Sequence, residues 1–243
     1  MDTKSFLDEL LKTGKEYASK GREIAEEKLK MPKEGEEGEE GYDATIDGMK
    51  KGAMAVGVLA LLLGTGAGRR VTGSALKIGS LAAIGGIGWK AYQNWVTQKT
   101  EIDQEVEDMA SDAKIIPINE LGEAEANERS HVLLKAMIAA AKADGHINKK
   151  EVFAIDEQIK KLGLTGDVAD LMQSEIAKPL DVKEIAALAE NSAIAAEIYL
   201  VSAVVTDKEN SMERDYLDSL AKEMKLPEGL VEQLQKVKEE DIA

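Results

Sequence analysis

Residues 49–99 contain no Asp or Glu, in a chain of 243 residues that carries 46 of them. The same window holds the cations Lys50, Lys51, Arg69, Arg70, Lys77, Lys90 and Lys99, and ten of the 21 glycines. Folding in water gives no reason to exclude carboxylates from one stretch. A low-dielectric surrounding does, because an ionised acid there is costly. The window therefore predicts a membrane insert and divides the chain into parts.

Two apolar runs lie between the cations. Residues 52–68 have no charged side chain, and at 1.5 Å per residue they reach about 25 Å, just short of a hydrocarbon core. Flanking Lys50 and Lys51 could snorkel to close the gap. Residues 71–89 are interrupted only by Lys77. Trp89, Tyr92 and Trp95 follow, placed as an interfacial aromatic belt would be. Small residues recur at four-residue spacing, as Ala60, Gly64 and Gly68, then as Ala75, Gly79 and Ala83. Such spacing lets helices approach closely in lipid. The expectation is a tight helical hairpin over 49–98 that anchors the chain and drives homo-oligomerisation. The alternative is a pair of Gly/Ala-rich helices buried in a soluble core or oligomer interface. The lack of a polar face argues against it.

The flanking parts differ in character. By count, residues 1–48 carry net −6, 49–99 carry +7, 100–117 carry −5 and 118–243 carry −11, which sums to the net charge of −15. So acidic a chain excludes nonspecific nucleic-acid binding, which needs a basic face. The absence of cysteine excludes disulfides and thiolate chemistry. The N-terminus lacks a signal-peptide apolar core. Residues 1–31 predict an amphipathic helix with a heptad seam at Leu10, Tyr17, Ile24 and Met31, lying on a surface, on a membrane or against its own copy. Residues 32–48 are an acidic linker with almost nothing to bury, and 99–118 are an acidic connector ending at Pro117.

Residues 119–243 read as helical throughout, with no alternating strand pattern. Asn148-x-x-Glu151 and Asp181-x-x-Glu184 are capping-box signatures. Ser192 and Ser211 could cap further helices, and Pro227 suits the first turn of a last one. The fold class is therefore all-α, six or seven short helices in one bundle after the hairpin.

This part contains a weak duplication. Residues 139–151 end one helix, turn through Asp144 and start the next with Glu151. Residues 202–213 repeat the plan with Asp207 and Glu213. Two such turns could converge four carboxylates, a donor set for a hard divalent cation such as Ca²⁺ or Mg²⁺. The same residues are also ordinary helix ends and caps. Gly145 directly after Asp144 excludes an EF-hand. His146 is a lone turn histidine, and His131 has no ligand partner in helical register, so it reads as structural. No nucleophile, histidine base or phosphate loop accompanies the acids, so no enzyme and no tightly held cofactor are expected.

At these residues a resemblance appears. The Ala-x-Ala-Asp-Gly-x-Ile stretch to Glu151, with Asp207 and Glu213, resembles the TerB-like fold of tellurite-resistance proteins. The upstream motifs at 73–79 and 89–95 look like the YebE-type bacterial inner-membrane proteins, a family of unknown function. The resemblance implies a helical bundle with paired acidic turns suited to metal. It implies a bacterial inner-membrane protein with a role in envelope, metal or oxyanion stress, and the acidic, cysteine-free character of the C-terminal domain points to the cytoplasmic side. The expected partners are lipid, further copies of the chain and a protein held by the acidic domain. The leading expectation is a non-enzymatic scaffold or sensor. The alternative is a membrane-remodelling or pore-like assembly driven by the hairpin.

Overall fold

The computed structural model describes residues 2–8, 10–12, 80–99, 116, 118–144, 166–206 and 210–240. Among them every regular element is helical. Helix α1 covers 3–8 and 10–12. It is followed by α2 (Leu81–Lys99), a 3₁₀ turn (Ile118–Glu120), α3 (Glu123–Ala141), α4 (Asp167–Ala177), α5 (Val182–Ala186), α6 (Ser192–Val205), α7 (Ser211–Glu223) and α8 (Glu228–Glu240).

Helix α6 is the axis. Its sequence is apolar on every side, and a helix of that kind belongs inside a protein or a membrane. Here it is inside the protein, with every residue from Ala193 to Val205 buried. Asn191 starts it, its side chain accepting from the amides of Ala193 and Ile194. Helices α2, α3, α7 and α8 pack around it. Two apolar clusters meet α6 from different sides. One joins Ile194, Ile198, Val201 and Val204 to α3, α4 and α1. The other joins Ala196, Tyr199 and Ala203 to Tyr92 and Trp95 of α2 and Leu230 and Leu234 of α8. Gln235 of α8 donates to the Tyr199 hydroxyl at 2.8 Å.

Helix α2 does not support the expectation of a second membrane arm. Tyr92 and Trp95 are 3% and 4% exposed, packed in protein rather than set at an interface. Trp89, half buried, stacks on Tyr92 with ring centroids 5.9 Å apart. Gly229 of α8 lies so near the Trp95 indole that a Cβ there would sit 3.2 Å from Nε1. Ala83 packs against the first apolar cluster. Gly85 and Gly88 let α2 approach α6, as small residues do between lipid-embedded helices, but the neighbour is a core helix of the same chain. Among the described residues no helix is long and apolar enough to cross a membrane. Lys50, Lys51, Ala60, Gly64, Gly68, Ala75 and Gly79 lie outside the described residues.

Helix α1 is also part of the core. Thr3, Phe6, Leu7, Leu10 and Leu11 are 0–2% exposed, and their i, i+3, i+4, i+7 spacing makes one apolar stripe. At roughly 1.5–3 kcal/mol for each fully buried Leu or Phe, the stripe offsets a large part of the entropy lost in ordering this helix. The expected seam is thus used within the chain at Leu10, while Tyr17, Ile24 and Met31 lie outside the described residues. Asp2 caps α1 by accepting from the Ser5 amide at 2.8 Å.

Candidate functional site: two buried carboxylates at helix ends

Two of the four acids singled out above are placed by the structure, and both are buried. Helix α3 ends at Ala141, and two further turns, Lys142 N–H to the Ala139 carbonyl and Ala143 N–H to the Ala140 carbonyl, carry the chain to Asp144. Asp144 is 6% exposed. An acid at a helix C-terminus faces the negative end of the helix dipole. Glu213 is the third residue of α7 and is 3% exposed. Asn210 caps that helix through the Met212 amide and donates its own side-chain amide to Glu213 Oε1 at 2.9 Å. The cap residue and the Glu of the first turn are thus joined side chain to side chain.

Helices α3 and α7 pack against each other. Glu151, Asp207 and His146 lie outside the described residues. Among the described residues no group of three or more His, Asp or Glu side chains is close enough to hold a metal ion. His131 is structural, as expected. Its Nδ1 faces the Asn127 carbonyl at 3.0 Å, which requires the proton on Nδ1, and its Nε2 then accepts from the Thr3 hydroxyl at 2.9 Å.

The start of α5 matches its sequence signal, with the Asp181 carboxylate accepting from the amides of Lys183 and Glu184. The caps of α6 and α7 fall one residue earlier than expected, on Asn191 and Asn210 rather than Ser192 and Ser211. Pro227 precedes α8, its carbonyl accepting from Leu230 and Val231.

Two further charged sites escaped the sequence reading. Glu197, in the middle of α6, is 2% exposed and accepts from Arg129 of α3 at 2.9 Å. Burial raises its pKa above the ordinary carboxylate value, against the opposing pull of Arg129 and the Ile118 amide. A single Glu inside fourteen otherwise apolar or small residues was the available signal. The second site is a shallow cleft between α3, α4 and α5, lined by Lys142, Glu175, Lys178, Asp181 and Glu184. Lys142 donates to the backbone carbonyls of Glu175 and Lys178, so it caps the C-terminus of α4. Loss of solvent lowers its pKa. Lys178 bridges Glu175 at 2.8 Å and Glu184 at 3.0 Å. These groups bind the elements to one another, and the cleft has no nucleophile–base pair.

Comparison with known proteins places the chain. Residues 48–237 match the model of DUF533, described as a protein of unknown function. The match covers well over half of the chain, and the protein belongs to this family, which is a TerB-like one. A relative described as an "Uncharacterized protein in ampR 5'region", from Yersinia enterocolitica, is 34% identical over 104 residues, 43% of this chain and 75% of that protein. No solved structure matches.

Proposed function

We propose that the protein is a non-enzymatic scaffold or sensor whose TerB-like helical domain binds a divalent cation, or a protein partner in its place, at the duplicated acidic turns. The supporting observation is the burial of Asp144 and Glu213, one acid from each half of the repeat, at the ends of two helices that pack together. Ca²⁺ and Mg²⁺ are the ions such oxygen donors suit. We place the protein at the bacterial inner membrane with this domain on the cytoplasmic side. Since α2 belongs to the core, attachment would fall to the apolar run at 52–68, and a hairpin is no longer needed.

The test is thermal unfolding of the full chain with and without millimolar Ca²⁺ or Mg²⁺. An ion that binds the folded form should raise the melting temperature, and Asp144→Asn with Glu213→Gln should remove that response. A wild-type chain indifferent to both ions, with a double variant less stable than wild type, would show that the acids serve only as turn and cap.

A further inference from the structure

Helix α1 is recognised in detail by the surface it occupies. Its apolar stripe enters the cluster that holds Leu81 and Ile84 of α2 and Leu133 and Leu134 of α3. Its first turn is gripped by α3, with the amides of Thr3 and Lys4 donating to Asn127 Oδ1 at 3.0 and 3.3 Å and the Thr3 hydroxyl meeting His131. Its Asp8 carboxylate accepts from the Leu81 amide at 2.9 Å, which caps α2. Asn127, His131, Leu81 and Ile84 all fall inside the stretch matched by the family model, whereas α1 falls outside it. The family's own residues therefore build a groove, and this chain fills it with an added helix.

The connection does not decide which copy's helix fills the groove. Between Lys12 and Ser80 run 67 residues, enough chain to span on the order of 200 Å when extended. We propose that the α2/α3 groove is an amphipathic-helix docking site and that α1 is an exchangeable occupant, able to dock on a second copy of the chain. A second copy is the partner that fits, because the polar contacts complement the α1 sequence itself. The exchange would make a symmetric pair using contacts already present within one copy.

The test uses the full chain with Leu7→Asp and Leu10→Asp, which should expel α1, and a fluorescent peptide of residues 1–12. The variant should bind the peptide one-to-one, and wild type at least tenfold more weakly because its groove is filled. A peptide carrying the same two substitutions should not bind. Mixed mass-tagged and untagged wild-type chains should form mixed dimers on concentration, and the variant alone should not. If circular dichroism shows the Asp variant unfolded, Phe6→Ala with Leu10→Ala replaces it, removing contacts without placing charge in the core. A folded variant that ignores the peptide, or wild-type dimers that persist when α1 is disabled, would overturn the proposal. Neither result depends on whether the acidic turns bind metal.

Discussion

Three glycines within four residues of α2 make the seating of that helix measurable. A Cβ at Gly85 would lie 2.9 Å from Ile118 Cγ2, 3.1 Å from the Ile118 amide nitrogen and 3.3 Å from Glu197 Oε1. Ile118 is 1% exposed and β-branched, so it has little room to yield. At Gly86 nothing lies within 4 Å, and at Gly88 the nearest atom, Glu197 Cγ, is at an ordinary 3.7 Å. Replacing glycine by alanine inside a helix gains about 0.5–1 kcal/mol from backbone entropy alone. Gly86→Ala should keep all of that gain, and Gly88→Ala most of it. Gly85→Ala should receive the same gain but lose about 1–3 kcal/mol to overpacking, for a net loss of up to about 2.5 kcal/mol. At this chain size each kcal/mol moves the melting temperature by about 2–4 °C. Urea unfolding followed by circular dichroism would rank the variants as Gly86→Ala above wild type and Gly85→Ala below it. Were Gly85→Ala as stable as Gly86→Ala, α2 would not rest on Ile118 and Glu197, and the packing of the first helices around α6 would be wrong.

Glu197→Gln should become more favourable relative to wild type as pH rises. The folded-state pKa of Glu197 is raised, so the folded form holds its proton to higher pH than the unfolded form. The stability this group contributes is then complete below the ordinary value of 4.5 and declines as pH climbs through the folded value. Denaturation curves from pH 4 to 7 would show the gap changing in that direction, and a gap independent of pH would rule the burial argument out. A piece starting at Asn119 should aggregate or melt without cooperativity, because it strips α2 from Ala196, Tyr199, Leu230 and Leu234. A piece from Ser80 onward should retain a cooperative transition, and equal behaviour of the two pieces would remove α2 from the core.

The helical class was legible because the periodicity and the caps agreed. Asp181 and Pro227 stand within a residue of their expected roles, and α3 winds to its end just before Asp144. The surroundings of the apolar helices were not legible. Hydropathy reports a low-dielectric neighbourhood and is silent on whether lipid or protein supplies it. Trp89, Tyr92 and Trp95 show the ambiguity well. Spacings of three place them along one helix face, which suits an interfacial belt and a packing surface equally. What decides between them is the partner, and the partner is α6, more than 90 residues further along the chain. The role of α1 was hidden for the same reason, since its stripe says only that something covers it.

Among the described residues, burial picks out four acids, and two of them stand beside the turns that the sequence duplicates. Asp144, Glu175, Glu197 and Glu213 are all buried. Glu197 sits where α6 meets α3, with the Arg129 guanidinium at 2.9 Å, and Glu175 is held by Lys178 at 2.8 Å. In both, an opposite charge from the fold stands beside the carboxylate, although at Glu197 desolvation still outweighs it. Glu213 accepts from the Asn210 side-chain amide at 2.9 Å. Asp144 closes α3, where the helix dipole opposes a carboxylate rather than supporting it. Helix α6 carries Glu197 near its middle, whereas Asp144 and Glu213 stand at helix ends, next to the turns that the sequence duplicates. A cation binding at those turns would find carboxylates already removed from water, so its electrostatic gain would be larger than at exposed acids of the same number. The burial of one acid from each half of the repeat makes the acidic turns the place to look for a ligand.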